Sequence, residues 1–470
     1  LATTASFTLN ANRGIALNIN GGTFNQSAST TLSYAGIIAG AGSLTKAGAG
    51  TMTLSTGSNN TYTGSTNVTN GTLNVSGSLA DTTVVNISSG AAYNVSASDT
   101  IGSFTGDGTI NLVSGTLTAF GDNSSAIYGG VIAGAGSLTK AGTGTLTLTG
   151  TNTYAGATTI SAGALQIGNG TANGSITGTS SITDNGTLIY NRSDAVTLSK
   201  VISGTGNLTQ TGSGTLTLSG ANTYIGSTNV SAGTLAVSGS LADSTVVNVS
   251  SGAVYNVSVT DTIGSFTGDG TISVVAQHTL RAFGDNSDET FSGVIVGEGS
   301  LEKLGTGTLT LAGTNTYAGS TTISNGTLVI GGNGSLGSGT YGGFVVNNGN
   351  FIYNSTTNQS LSNRMRGTGN LTQNGTGTLT LSLAPLFNNT YTGNTTINGG
   401  VLRISSDGQL GNTTSQLVLN GGTLWTTANL TLNVSRSVIL GANGGTFDQT
   451  TGTALTYAGV IDGAGSLNKV

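Results

Sequence analysis

Short runs in which threonine alternates with an aliphatic residue punctuate this chain. Thr145–Leu148, Thr215–Leu218, Thr308–Leu311 and Thr378–Leu381 all read Thr-Leu-Thr-Leu. A period of two puts the leucines on one face of an extended strand and the threonines on the other. Each run ends at glycine or asparagine, as at Gly142, Gly144 and Gly150, where tight turns close without a Cβ clash. Leu146 and Leu148 are answered 19 residues later by Leu165 and Ile167, again two apolar residues one apart. Strand–turn units of roughly 20 residues predict stacked coils, each exposing a backbone edge that only the next coil can pair. Leu146, Leu148, Leu165 and Ile167, with Leu216, Leu218, Leu235 and Val237, are expected to point inward.

The pattern is repeated on a larger scale. Residues 131–167 read VIAGAGSLTKAGTGTLTLTGTNTYAGATTISAGALQI, and copies occupy 37–75, 201–237, 294–330 and 364–404, with a sixth cut short at 460–470. The spacers are also paired: 76–130 matches 238–293, and 168–200 matches 331–363 in a glycine-rich turn and a GTLIYN or GNFIYN strand. Residues 1–47 and 424–470 agree at 27 of 47 positions at an offset of 423. No boundary between globular domains is visible. The expectation is one continuous all-β solenoid over 1–470, an elongated rod of on the order of 20 coils at about 4.8 Å each. Leu1 does not read as a native start and the frame at Val470 is mid-repeat, so the rod is expected to continue, covalently or by head-to-tail stacking of like subunits.

Composition narrows the function. Charged residues make up 6% of the 470, against roughly 25% in ordinary globular proteins. The net charge is −5 and there is no basic run, which argues against nucleic acid as a partner. No apolar stretch approaches the roughly 20 residues of a membrane helix. Cysteine is absent and histidine occurs once, so disulfides, thiolate metal sites and multi-histidine sites are excluded within this segment.

The spacing G-x-G-[SN]-L-x-[KQ]-x-G-x-G-T-[LM]-T-L, followed by N-T-Y-x-G and G-x-L-x-[IV], resembles the passenger-associated transport repeat of bacterial autotransporters. Its positions here include Gly134, Gly136, Leu138, Lys140, Gly142, Gly144, Asn152, Tyr154, Gly156 and Gly163. The resemblance implies a right-handed parallel β-helix exported through the outer membrane to the cell surface. It implies neither an enzyme nor a ligand, and the C-terminal membrane barrel of such proteins is not among these residues.

Candidate chemistry is sparse. Asn60, Asn152, Asn222, Asn315 and Asn389 open Asn-Thr-Tyr turns, with asparagine bonding neighbouring backbone and the tyrosine hydroxyl in water. A row of tyrosines stacking on sugar rings is the competing reading, weakened by the wide spacing of the copies. Lys46, Lys140, Lys303 and Lys469 share one repeat position with Gln210 and Gln373, which argues against an essential charge and for a solvated side chain. His278, Arg281, Asp285, Asp288 and Glu289 form the one mixed ionisable cluster; a catalytic carboxylate pair needs defined separation and split pKa values, and a solvated loop is the plainer reading. Gly-Asp turns at Asp107, Asp122, Asp269 and Asp285 lack a calcium-loop pattern. Gly337-x-Gly339-x-x-Gly342 opens a strand rather than a helix, against a dinucleotide site.

The fifth copy differs. It inserts LAPLFN after Ser382, and Pro385 cannot join a strand ladder, so Leu383, Pro385, Leu386 and Phe387 are a candidate interaction loop with an exposed apolar tip. The reading is therefore a non-catalytic structural or adhesive rod without cofactor or metal. Its expected partners are a host or neighbouring-cell surface, glycans, matrix or like subunits end to end. A secreted polysaccharide-active β-helix enzyme is the alternative.

Overall fold

The structure is a computed structural model that describes residues 1–383 and 387–470. The chain divides into two compact units, Leu1–Asn229 and Val230–Val470. Each is an all-β solenoid with parallel strand pairing. The helical residues described are two short 3₁₀ turns in the second unit, Gly337–Gly339 and Asp407–Leu410. No helix among the described residues is long and apolar enough to cross a membrane.

In the first unit a full coil has three sides. Ser103–Gly106, Thr109–Leu112 and Thr116–Ala119 are covered by Ala126–Tyr128, Val131–Gly134 and Ser137–Lys140, with Gly106 opposite Tyr128, Thr109 opposite Val131 and Thr116 opposite Ser137. The register expected from the leucines is the one formed. Leu146 lies over Leu165 and Leu148 over Ile167, and the column continues through Leu188 to Leu208. All eight aliphatic side chains expected inside are buried. Stacking one leucine on the next excludes water from a core only one side chain deep, which is why so few apolar residues suffice.

The second unit repeats this construction. Leu309, Leu328, Phe351 and Leu371 form one of its columns. The twin spacers fold alike in their separate units. Phe104 packs edge-on against Phe120 at 5.0 Å, and Phe266 against Phe283 at 5.0 Å; Phe120 and Phe283 share positive φ values of 71° and 70°. The related segments at residues 1–47 and 424–470 also pair identically within their own units. Ile15 lies opposite Ile38 and Phe7 opposite Leu32, as Val438 lies opposite Ile461 and Leu430 opposite Leu455.

Two expectations about polar residues are corrected. Three of the four repeat lysines are not solvated, while the fourth, Lys469, is exposed as expected. Lys46, Lys140 and Lys303 are buried, and Lys46 Nζ donates to the carbonyls of Ala47, Gly48 and Asn70 at 3.0, 2.8 and 2.9 Å. Gln210 and Gln373 take the same place by donating Nε2 to Gly212 and Gly214, and to Gly375 and Gly377. The position needs an N–H donor for turn carbonyls pointing inward, and charge is incidental. Burial lowers the Lys46 pKa to about 8.

Nor do the repeat tyrosines reach water. Tyr62, Tyr154, Tyr224, Tyr317 and Tyr391 are fully buried, and the Tyr154, Tyr317 and Tyr391 hydroxyls each lie 2.6 Å from the threonine hydroxyl four residues on. The asparagines do bond neighbouring backbone, and they do so as buried clamps. Asn152 Oδ1 accepts from the Ile132 N–H at 2.8 Å, while Nδ2 donates to Gly150 O at 3.1 Å and Ser175 O at 2.9 Å. One amide thus joins three successive coils. Asn60 and Asn315 repeat this contact set, and Asn389 joins Met365 to Gln409. Glycine at 150 is required by closeness: a Cβ there would sit 1.8 Å from the Gly130 carbonyl oxygen.

Candidate functional site

The fifth copy places its unusual residues on the outside of the second unit. Thr340–Tyr341, Gln359–Leu361, Thr378–Leu381, Val401–Ile404, Thr423–Thr426 and Gly445–Gln449 are successive strands of one side. Their inward positions are Leu379, Leu402 and Leu424, all buried. Alternation therefore turns the register column Ser360, Thr380, Arg403, Trp425 and Asp448 outward. Elsewhere in the repeats the position of Arg403 is held by Asn74, Gln166, Ala236 and Val329. The Arg403 guanidinium lies 4.7 Å from the Trp425 ring, whose Nε1 donates to Thr450 Oγ1 at 3.2 Å.

Beside this side, at the corner leading to the next, a pocket of about 460 Å³ is lined by Phe344, Ser362, Asn363, Arg364, Leu383 and Phe387. Arg364 lies 5.3 Å from the Phe387 ring and Arg366 lies 6.0 Å from the Phe344 ring. Of the candidate loop residues, Phe387 is 52% exposed, whereas Leu383 is 7% exposed and forms pocket wall rather than a tip. Pro385 and Leu386 lie outside the described residues. Two shallower grooves, of about 240 and 180 Å³, flank Arg403; Asn358, Ser360 and Trp425 line one, Ser382 and Thr427 the other, and Thr380 both.

The mixed ionisable cluster is dispersed. Arg281 pairs with Glu302 at 3.0 Å. Asp285 accepts from the Ser287 N–H and hydroxyl, and Asp288 from the Thr308 N–H. His278 and Glu289 are half-buried. Asp107, Asp122, Asp269 and Asp285 are exposed, and no group of three or more metal-ligating His, Asp or Glu occurs among the described residues. The buried acids are others. Asp99, Asp184 and Asp261 are 4%, 0% and 4% exposed, and burial raises each pKa to about 6.

The sequence reading missed Arg364, Arg366, Arg403 and Trp425, because cations counted along the chain look evenly spread. A signal was present: no Asp or Glu occurs between Glu302 and Asp407, and the fifth copy alone has arginine at all three of these repeat positions. Asp407 is itself bound by the buried Arg436, at 2.9 Å from Nε.

Stacked parallel coils, with one buried donor and one asparagine clamp per copy, define a β-solenoid repeat protein. Five segments, 44–75, 138–167, 208–237, 301–330 and 371–404, match the family model described as Passenger-associated-transport-repeat. The chain thus carries five copies of this repeat, which together span about a third of its 470 residues. Among curated proteins it is similar to the Adhesin BmaC autotransporter of Brucella suis biovar 1 (strain 1330), 38% identical over 143 residues. That alignment covers 30% of this chain and 4% of the adhesin, so the chain corresponds to a small part of its relative. No solved structure matches the chain.

Proposed function

We propose that these 470 residues are a stretch of an exported, surface-displayed adhesive passenger that works without catalysis, as a stiff scaffold presenting an outer binding face. The observation carrying this reading is the pairing of five passenger-associated repeats with 38% identity to a protein named an adhesin. The interior chemistry agrees with a scaffold role. Lys140, Asn152 and Tyr154 spend their polar groups inside the solenoid, on turn carbonyls, on backbone of the adjoining coils and on a threonine hydroxyl, leaving variation to outward positions. The shared strand register of residues 1–47 and 424–470, at an offset of 423, supports a longer periodic fibre. The test is attachment: beads coated with the purified chain are counted on epithelial cells and on extracellular matrix against albumin-coated beads. No excess attachment on either surface refutes the adhesive reading.

A further inference from the structure

We propose that the outer face of the fifth repeat copy binds an acidic polysaccharide, a chain of sugars carrying sulfate or carboxylate groups. The inference deepens the adhesive reading and rests on it.

Four observations converge on this face. First, the face is cationic within an acidic chain. Arg364, Arg366 and Arg403 lie in the stretch free of Asp and Glu, and none of the three makes an ion pair among the described residues. Arg192, Arg281 and Arg436, by contrast, each hold a carboxylate. Second, each of the three lies against an aromatic ring, Phe387, Phe344 or Trp425. A stacked guanidinium is held in place while its N–H edges stay free for the bidentate bonds that sulfate and carboxylate accept. Third, rings and arginines occur with hydroxyls and amides in grooves, Ser360, Thr380 and Asn358 beside Arg403 and Ser362 and Asn363 beside Arg364. A pyranose ring presents the same combination, a C–H face and a hydroxyl edge. Fourth, the grooves are arranged in series. Ser360, Thr380 and Arg403 are successive register partners, so Arg364, which follows Ser360 in the same coil, and Arg403 stand in coils two apart, roughly 10 Å along the stack. Repeating anions on one oligosaccharide can meet both.

Asp448 marks the limit of the face, being the register partner of Trp425 on the side away from Arg403. A membrane surface fits less well, since the arginines sit in grooves and the exposed rings Phe344 and Phe387 line a pocket. A lone phosphate would use one arginine and leave the spacing unexplained.

The experiment uses the whole chain in surface plasmon resonance on immobilised heparin, on hyaluronate and on neutral dextran, with vesicles of phosphatidylglycerol as a further arm. Binding to heparin is expected, weaker binding to hyaluronate and none to dextran. Raising salt from about 0.05 to about 0.5 M should weaken heparin binding at least tenfold, because the contacts are exposed charges. Arg403→Ala and Arg364→Ala should each lower affinity about five- to tenfold, and Trp425→Ala similarly. Arg403→Lys should lie between Arg403→Ala and the parent, because lysine keeps the charge but loses the fork and the stacking. Arg281→Ala, in its Glu302 pair, should bind like the parent. Circular dichroism confirms that each variant keeps its strands. Equal binding to dextran, preference for vesicles over heparin, salt-insensitive binding, or unchanged affinity in both arginine variants overturns the proposal. Bead attachment to cells without heparin binding sinks this assignment alone, whereas heparin binding without attachment sinks the adhesive reading alone.

Discussion

Replacing Asn152 tests whether the solenoid is held together by its clamps. The side chain is 1% exposed and makes three hydrogen bonds, to Ile132 N–H, Gly150 O and Ser175 O, in three coils. A buried neutral hydrogen bond contributes about 1 kcal/mol net, and a stranded buried partner adds to the loss. Asn152→Ala should therefore cost about 3 kcal/mol. Asn152→Asp separates geometry from chemistry. One carboxylate oxygen can still accept from Ile132, but the other would face the Gly150 and Ser175 carbonyls with no hydrogen to give. At neutral pH the aspartate should thus cost more than alanine. The sign of its pH dependence follows from burial, which raises a carboxyl pKa in the folded state. Stability is fully retained below the unfolded value near 3.8 and lost as pH rises through the folded value, taken from the natural buried Asp184 as about 6. In acid the protonated group donates to one carbonyl, keeping two of three bonds. The assay is denaturant unfolding of parent and both variants at pH 4 and pH 7, with hydrogen exchange at Ile132 as a local probe. If Asn152→Asp at pH 7 is no worse than Asn152→Ala, or does not recover in acid, the clamp account is wrong.

Other outcomes follow from the same packing. Lys140→Gln should be nearly neutral because Gln210 serves the same turn, while Lys140→Met strands the carbonyls of Ala141 and Gly142 and should cost about 2–4 kcal/mol in urea unfolding. Asp184→Asn should flatten the pH dependence of unfolding between about pH 4 and 6, where the parent loses up to about 3 kcal/mol as this group, its folded pKa raised to about 6, ionises. An unchanged profile counts against burial as the cause. Leu146→Ala should cost about 2–5 kcal/mol by calorimetry, since its column passes through Leu165, and a loss under 1 kcal/mol would mean that the coil collapses onto the gap.

The aliphatic register was legible because period two and a 19-residue return leave one alignment that buries every leucine, and Leu146 over Leu165 is that alignment. The lysines were misread by a rule about charges that the local pattern contradicted. Leu138 and Lys140 are two apart and so share a face, and glutamine at the same site preserves an N–H donor rather than an exposed polar tip. The tyrosines failed for a related reason: the hydroxyl's partner, Thr158, lies four residues on, beyond any periodicity rule. The arginine–aromatic face was not legible from single positions. Arg364, Arg403 and Trp425 are brought into series by stacking, and only their shared origin in the fifth copy hinted at it.

The clamp in that copy has a mechanical consequence. Met365, whose N–H is held by Asn389 at 2.7 Å, stands between Arg364 and Arg366, and Asn389 passes the connection on to Gln409 O at 2.6 Å. Asn389 also follows Phe387 by two residues. A pull applied through Arg364, Arg366 or Phe387 therefore enters the interior at one amide tied to the coils on either side. Traction on the outer face is shared as shear among three layers of backbone instead of peeling a single turn away.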